Sequence, residues 1–455
     1  MNTAIPSFEY KPSRYNIVAW SGSDPGMGDI LIYNSFSSGF VRLTQPAAGI
    51  VEDMLSRSSV PQGTPGAREL AGLGILIDAA IDELAAVEQL QEQYQLTEHS
   101  LNLILMPTEK CIFRCLYCYE DFAKGRMSDV VMRGVVGLVA KRAAQLQRLR
   151  IDWFGGEPLS ALPVVERISK EIIEVCSDNG INYSATMTTN GFLLTRETAD
   201  LCLGLNIRRY QITLDGTAET HNKLRVLQNG RPTFDTIVEN LMHLSERKDD
   251  FSVRIRVNFT PALVAHIPQF LRYMGERFGN DRRFTIWFHP VGRWGGPHDD
   301  EIEICDKRAA ENFELEFMQT AAENGFQMEA WRQAMQPFGS VCYAADPKSF
   351  VIGSDGSVYK CTVALKDPRN LVGALSEHGD IALNQERMSL WTKTGAESDR
   401  TCYSCSFRPA CQGNACPAER MRLNGDHACP PIKKNIHRVL PLLAGMETSR
   451  RTNGE

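Results

Sequence analysis

Between about residues 100 and 330 the apolar positions fall into six short runs, LNLILM, LRIDWF, YSATMT, RRYQITL, VRIRVNF and FTIWFHP, each separated from the next by a stretch with helical spacing. Strand alternating with amphipathic helix predicts a parallel βα series. Six such strands without a doubly wound fingerprint predict an α/β fold built on a partial (β/α)6, TIM-like barrel, whose chemistry sits at the C-terminal strand ends. The stretch CIFRCLYCYE follows the first run, GGEP the second and TTNG the third, so three unusual loops share one rim.

The pattern changes on either side. Upstream, YNIVAW, DILIYN and FVRLT read as three strands, and PAAGIVEDMLSR and ARELAGLGILID as two short helices around the breaker VPQGTPG. Ile81, Leu84, Val87, Leu90 and Tyr94 then mark one face of a longer connecting helix. The Gly-rich SGSDPGMG lacks a following Lys-Ser/Thr pair, so no phosphate loop is expected. Downstream of about residue 330 the chain is rich in Cys, Pro and Gly and poor in long apolar runs, a segment that metal clusters would have to stabilise. The closing TSRRTNGE is expected as a disordered tail. Three domains are therefore expected, over 1–97, 98–330 and 331–455.

Composition narrows the function. The 455 residues carry a formal net charge of -6 without a Lys/Arg-rich block, which argues against nucleic acid or an anionic membrane as partner. Residues 1–100 hold 5 Lys and Arg against 12 Asp and Glu, so a DNA-binding role for the N-terminal elements is disfavoured too. With no signal-peptide pattern and no apolar run of bilayer length, the protein is expected in the cytoplasm. Thirteen cysteines in a reducing compartment point to metal or redox chemistry rather than disulfides. Cys176, Cys202 and Cys305 stand alone and read as small buried hydrophobes.

Cys111, Cys115 and Cys118 form a knot of three. An iron-sulfur cube normally takes four thiolates, so three leave one iron open to a ligand that is not protein. A structural zinc site would want a fourth ligand, and the nearest histidine is His99, across the first strand. The C-x3-C-x2-C spacing after a first strand, with Tyr117 before the last cysteine, resembles the signature of the radical S-adenosylmethionine (SAM) superfamily. That resemblance implies a [4Fe-4S] cluster on Cys111, Cys115 and Cys118 whose open iron is chelated by SAM, and reductive cleavage of SAM to a 5′-deoxyadenosyl radical. It further implies SAM-binding roles for Gly155, Gly156 and Glu157 in GGE, for Thr189 and Asn190 in TTNG, and for Thr213 in ITLDG with Arg225 downstream.

The C-terminal cysteines resemble the seven-cysteine SPASM extension, which implies two auxiliary [4Fe-4S] clusters. By position, Cys402, Cys405, Cys411 and Cys429 would hold one, and Cys342, Cys361 and Cys416 the other, whose fourth ligand the sequence leaves open. The four residues between Cys411 and Cys416 depart from the usual three, and a zinc ribbon is the competing reading of CYSC with later cysteines. The first hundred residues resemble a winged-helix-like domain that binds precursor peptides by strand addition. Together these imply a maturase of ribosomally made peptides, served by a reductant such as flavodoxin or ferredoxin, that forms thioether or carbon-carbon cross-links. Peptide epimerisation and anaerobic sulfatase maturation are the alternatives, and a non-catalytic zinc scaffold is the reading from another class. Sulfatase maturases carry an Asp after the cysteine that Cys361 matches, whereas Thr362 stands here. His289 and Arg293 mark the end of the sixth strand as further rim residues, and Cys305 is a conceivable hydrogen donor.

Overall fold

A computed structural model describes residues 9–22, 28–394, 399–423 and 428–452. Most of SGSDPGMG and the last three residues of TSRRTNGE lie outside the described residues. The chain divides into two compact units, one drawn from Met1–Leu96, Met328–Ala345 and Lys393–Glu455, the other from Thr97–Gln327 and Asp346–Thr392.

The second unit is built on a ten-stranded sheet. All six expected strands are present: Ser100–Leu105, Arg148–Trp153, Asn182–Thr189, Ile207–Thr213, Ser252–Phe259 and Phe284–Pro290. They pair parallel in sequence order, each beside its predecessor, with no reversal of the kind a doubly wound sheet shows. A mixed sheet with this parallel run is a partial barrel. Period-2 alternation explains its two faces: Leu149, Ile151 and Trp153 are buried, while the alternate Arg148 and Arg150 are exposed. Helices over 129–142, 162–178, 196–204, 234–245 and 267–278 fill the crossovers. Two of them begin at the N-caps that sequence supplies, Ser128 and Thr195, whose hydroxyls accept from Val131 N–H and Thr198 N–H.

The sheet does not end at the first barrel strand. Ser349–Ile352, buried along its whole length, pairs parallel with Ser100–Leu105, and three short antiparallel strands extend it to Ile381–Leu383. The stretch 331–455, read from sequence as one domain, is thereby divided between the units.

In the first unit Asn16–Trp20, Ile30–Asn34 and Phe40–Leu43 form an antiparallel sheet at the expected places. A second small sheet, Glu9–Pro12 between Val60–Pro61 and Leu76–Asp78, was not expected. It corrects the second short helix, which stops at Gly72; the chain turns at Gly74, whose φ of +71° a side chain would resist, and Leu76–Asp78 continues as strand. The long connecting helix is Glu83–Leu96, with Val87 buried and Tyr94 stacked on Phe338 at 4.5 Å, whereas Ile81 precedes it and is exposed. Ile30, Ile32, Val51, Met54, Leu70 and Ile75 form the core under these sheets. The last helix, Pro431–Thr452, takes in part of the expected tail. No helix among the described residues is long and apolar enough to cross a membrane.

Candidate functional site

Leaving the first barrel strand, the chain makes a loop that carries all three clustered cysteines. Its only strand, Phe113–Cys115, pairs antiparallel with Arg225–Leu227, which ties the loop to the segment after the fourth barrel strand. Cys111, Cys115 and Cys118 all line one cavity of about 230 Å³ at the C-terminal strand ends. Burial raises all three thiol pKa values, that of Cys118 to about 12, with Cys115 and Glu120 adding to the shift. Three buried thiols lining one cavity ionise together more readily beside a positive charge, which an iron centre would supply. Among the described residues no group of three or more His, Cys, Asp or Glu side chains converges on the position of a single metal ion.

The GGE turn packs against the base of that loop. A Cβ on Gly155, which has a φ of +106°, would lie 2.4 Å from the Thr108 carbonyl oxygen, and one on Gly156 would lie 2.5 Å from that of Lys110. The same carbonyls accept hydrogen bonds from Gly156 N–H at 3.2 Å and Glu157 N–H at 3.0 Å. Both glycines also line the cavity. Glu157 does not. It is fully buried and accepts from Thr189 Oγ1 and Asn190 N–H at 2.7 Å each and from Leu159 N–H at 3.0 Å, so it orients TTNG. Burial pushes its carboxyl pKa up, and these bonds oppose the shift. Thr189 and Asn190 do line the cavity, with Asn190 Nδ2 3.9 Å from the Cys111 sulfur.

Opposite lies a polar cradle. The Tyr117 hydroxyl donates to Asp215 Oδ2 and accepts from Arg225 at 2.8 Å and from Asn258 Nδ2 at 3.0 Å. Asp215 also accepts from Asn258 N–H at 2.7 Å, and its own N–H donates to His221 Nδ1 at 3.1 Å. Burial raises the Asp215 carboxyl, with Arg225 pulling it back. Arg225 is itself buried, and its Nε has no hydrogen-bond partner within the protein. Three thiols, a glycine wall and an unsatisfied guanidinium thus fit an iron-sulfur cluster with one open iron and a carboxylate-bearing ligand on it.

Of the expected site residues, Cys111, Cys115, Tyr117, Cys118, Gly155, Gly156, Thr189, Asn190, Thr213 and Arg225 line the cavity, as does His289. Glu157, Arg293 and Cys305 are not among its lining residues. Sequence reasoning missed Glu120, Gln211, Arg256, Asn258 and Trp294. Glu120 directly follows the knot; its Oε2 has no partner, and burial, with Glu109 and Asp121 beside it, pushes its carboxyl up to about 8. Alternation along VRIRVNF was the available signal for Arg256 and Asn258, since it puts both on the polar strand face.

The remaining cysteines are distributed over both units. Cys402, Cys405, Cys411 and Cys429 all belong to the first, and Cys411, raised to about 12 chiefly by burial, feels the other three electrostatically. Cys342 and Cys416 are also in the first unit, where Cys342 N–H donates to the Asn414 carbonyl at 2.9 Å and the Cys416 sulfur caps the helix Pro417–Arg422. Cys361 is in the second, its N–H held by Asn370 Oδ1 at 2.8 Å, and the adjoining Thr362 lines the cavity. Cys176 and Cys202 are buried in the core as small hydrophobes.

Comparisons with known proteins agree with this geometry. Residues 105–261 match the family model of the radical SAM superfamily. A cysteine-type anaerobic sulfatase-maturating enzyme of Clostridium novyi is 24% identical over 335 residues, which span 69% of this chain and 87% of that protein. The GTP 3′,8-cyclase of Staphylococcus aureus is 26% identical over 67% of this chain and 91% of its own length. In fold, the chain is similar to native anSMEcpe with bound AdoMet and Cp18Cys peptide, at a TM-score of 0.54 and 18% identity, covering 77% of this chain and 99% of that one. The radical SAM family binds a [4Fe-4S] cluster and SAM, and the cavity residues suit both. The chain carries a radical SAM domain, folded as a partial barrel with its three cysteines at the C-terminal rim.

Proposed function

We propose that this radical SAM enzyme modifies a ribosomally made precursor peptide by oxidative cross-linking, through a thioether or carbon-carbon bond. When bound, the cluster and SAM supply a 5′-deoxyadenosyl radical able to abstract hydrogen from an unactivated carbon. The observation that carries the reading is the convergence of Cys111, Cys115 and Cys118 with the Tyr117, Arg225 and Asn258 cradle on one cavity. In this reading Arg225 and Thr213 hold the SAM carboxylate, Gly155 and Gly156 leave room for its amine, and Asn190 faces its ribose and methionyl part. Phe122, Phe154 and Trp294 wall the cavity and limit water around the reacting groups.

A peptide substrate is supported by the separate unit that holds residues up to Leu96, whose short sheets present edges suited to strand addition, and by the peptide carried by the fold neighbour. Cross-linking removes two hydrogens, one as an atom and the other as a proton and an electron. Cys402, Cys405, Cys411 and Cys429 would hold an auxiliary cluster able to take that electron. Flavodoxin or ferredoxin would supply the electron that opens SAM.

Formylglycine formation is the second reading, favoured by the Clostridium novyi relative. Thr362 lines the cavity beside Cys361, and a hydroxyl there is a poor base in place of the carboxylate that maturases use. Incubating the reduced, reconstituted enzyme with SAM and any short peptide found encoded beside its gene distinguishes the outcomes. A mass loss of two hydrogens with a fragmentation gap supports cross-linking. An aldehyde trapped by a hydrazide supports the second reading, and a mass unchanged in ordinary water but raised by deuterium uptake in heavy water supports epimerisation.

A further inference from the structure

The four cysteines of the first unit do not sit in a symmetric electrostatic setting. Lys433 stands one helical turn after Cys429, near the start of Pro431–Thr452, where the buried Ile432 and Ile436 fix the helix face that presents it. Its ammonium donates to the Cys429 sulfur at 3.4 Å and also bonds Cys405, so one side chain bridges two of the four sulfurs. The Lys433 side chain is half-buried. Asp399 is placed oppositely, with its carboxylate beside Cys402. A cation therefore sits on one edge of the cysteine group and a carboxylate on another.

We infer that Lys433 is a positioning residue that raises the reduction potential of the iron-sulfur cluster held by Cys402, Cys405, Cys411 and Cys429. The inference rests on the proposed assignment of those cysteines as cluster ligands. The physical reason is charge balance. Adding one electron to a thiolate-bound cube adds one negative charge, which a neighbouring ammonium stabilises more than it stabilises the oxidised form. Its N–H···S bonds also draw density off two ligand sulfurs, the lever by which outer groups tune a metal centre. A raised potential suits a centre that receives an electron from substrate rather than one that delivers it to SAM.

The test is a mediator titration of the full-length reconstituted protein, followed by electron paramagnetic resonance. Cys402→Ala identifies the signal that belongs to this cluster. Lys433→Met is expected to lower the midpoint potential of that signal, with iron and sulfide content unchanged and the other signals unmoved; Lys433→Arg is expected to bring it back. A merely structural lysine would not shift a potential at constant iron. An unmoved potential in Lys433→Met overturns the inference and leaves the cluster assignment standing. Iron, sulfide and spectrum that do not change in Cys402→Ala overturn the assignment, and the inference with it. If Lys433→Met loses iron from the site, Lys433→Gln, a neutral donor of similar reach, decides by the same criterion: a lowered potential supports the inference and an unmoved one overturns it.

Discussion

The guanidinium of Arg225 lies 2.8 Å from the hydroxyl of Tyr117, a residue 108 positions earlier in the chain. This contact adds to the strand pairing that ties the cysteine loop to the segment after the fourth barrel strand, and the same hydroxyl serves Asp215 and Asn258. Tyr117→Phe leaves the buried Asp215 carboxylate one donor short, so a loss of about 1–3 kcal/mol in unfolding free energy is expected. Arg225→Lys keeps the charge and loses the fork, and SAM is expected to bind about tenfold more weakly. Denaturant titration and equilibrium dialysis with SAM read the two effects separately.

The glycine turn should be equally intolerant. Gly155→Ala forces a Cβ onto the Thr108 carbonyl at a positive φ, and Gly156→Ala forces one onto that of Lys110. Each is expected to cost about 1–3 kcal/mol of strain or to push the cysteine loop out of place. Iron retained after reconstitution should fall in both variants. Gly204→Ala, in a helix where a Cβ meets nothing within 4 Å, serves as the control and should keep its iron.

His289 gives a pH dependence. Burial, and Arg256 beside it, lower its pKa from 6.5 to about 3. A depressed histidine stays neutral in the folded chain while the unfolded chain takes up a proton, so its contribution is fully present above the ordinary value and lost as pH falls below it. Between about pH 7 and about pH 5.5 the wild type should lose about 1 kcal/mol more stability than His289→Asn. Urea unfolding under anaerobic conditions at the two pH values checks it; equal losses contradict it.

The six parallel strands were legible because each is a short apolar run with its own punctuation, and the knot, GGE and TTNG fell on their C-terminal ends by counting alone. The small sheet of Glu9–Pro12 was not legible: ILID reads as helix or strand, and pairing with a distant segment decides it. Ser349–Ile352 was hidden for the same reason, since only its partner Ser100–Leu105 makes it part of the barrel sheet. In the site, motif residues were readable, but Glu157 proved to work through Thr189 and Asn190. Glu120 carries no motif of its own, and its lack of a partner at Oε2 exists only in three dimensions.

The central claim, that the knot holds a cluster which opens SAM, is tested most directly by 5′-deoxyadenosine release. The anaerobically reconstituted protein is reduced, given SAM and compared with Cys115→Ala, with iron, sulfide and zinc measured on the same samples. The account predicts release by the wild type, none by Cys115→Ala, and a loss of about four irons in the variant. Bound zinc without iron, and no release from the wild type, would contradict it.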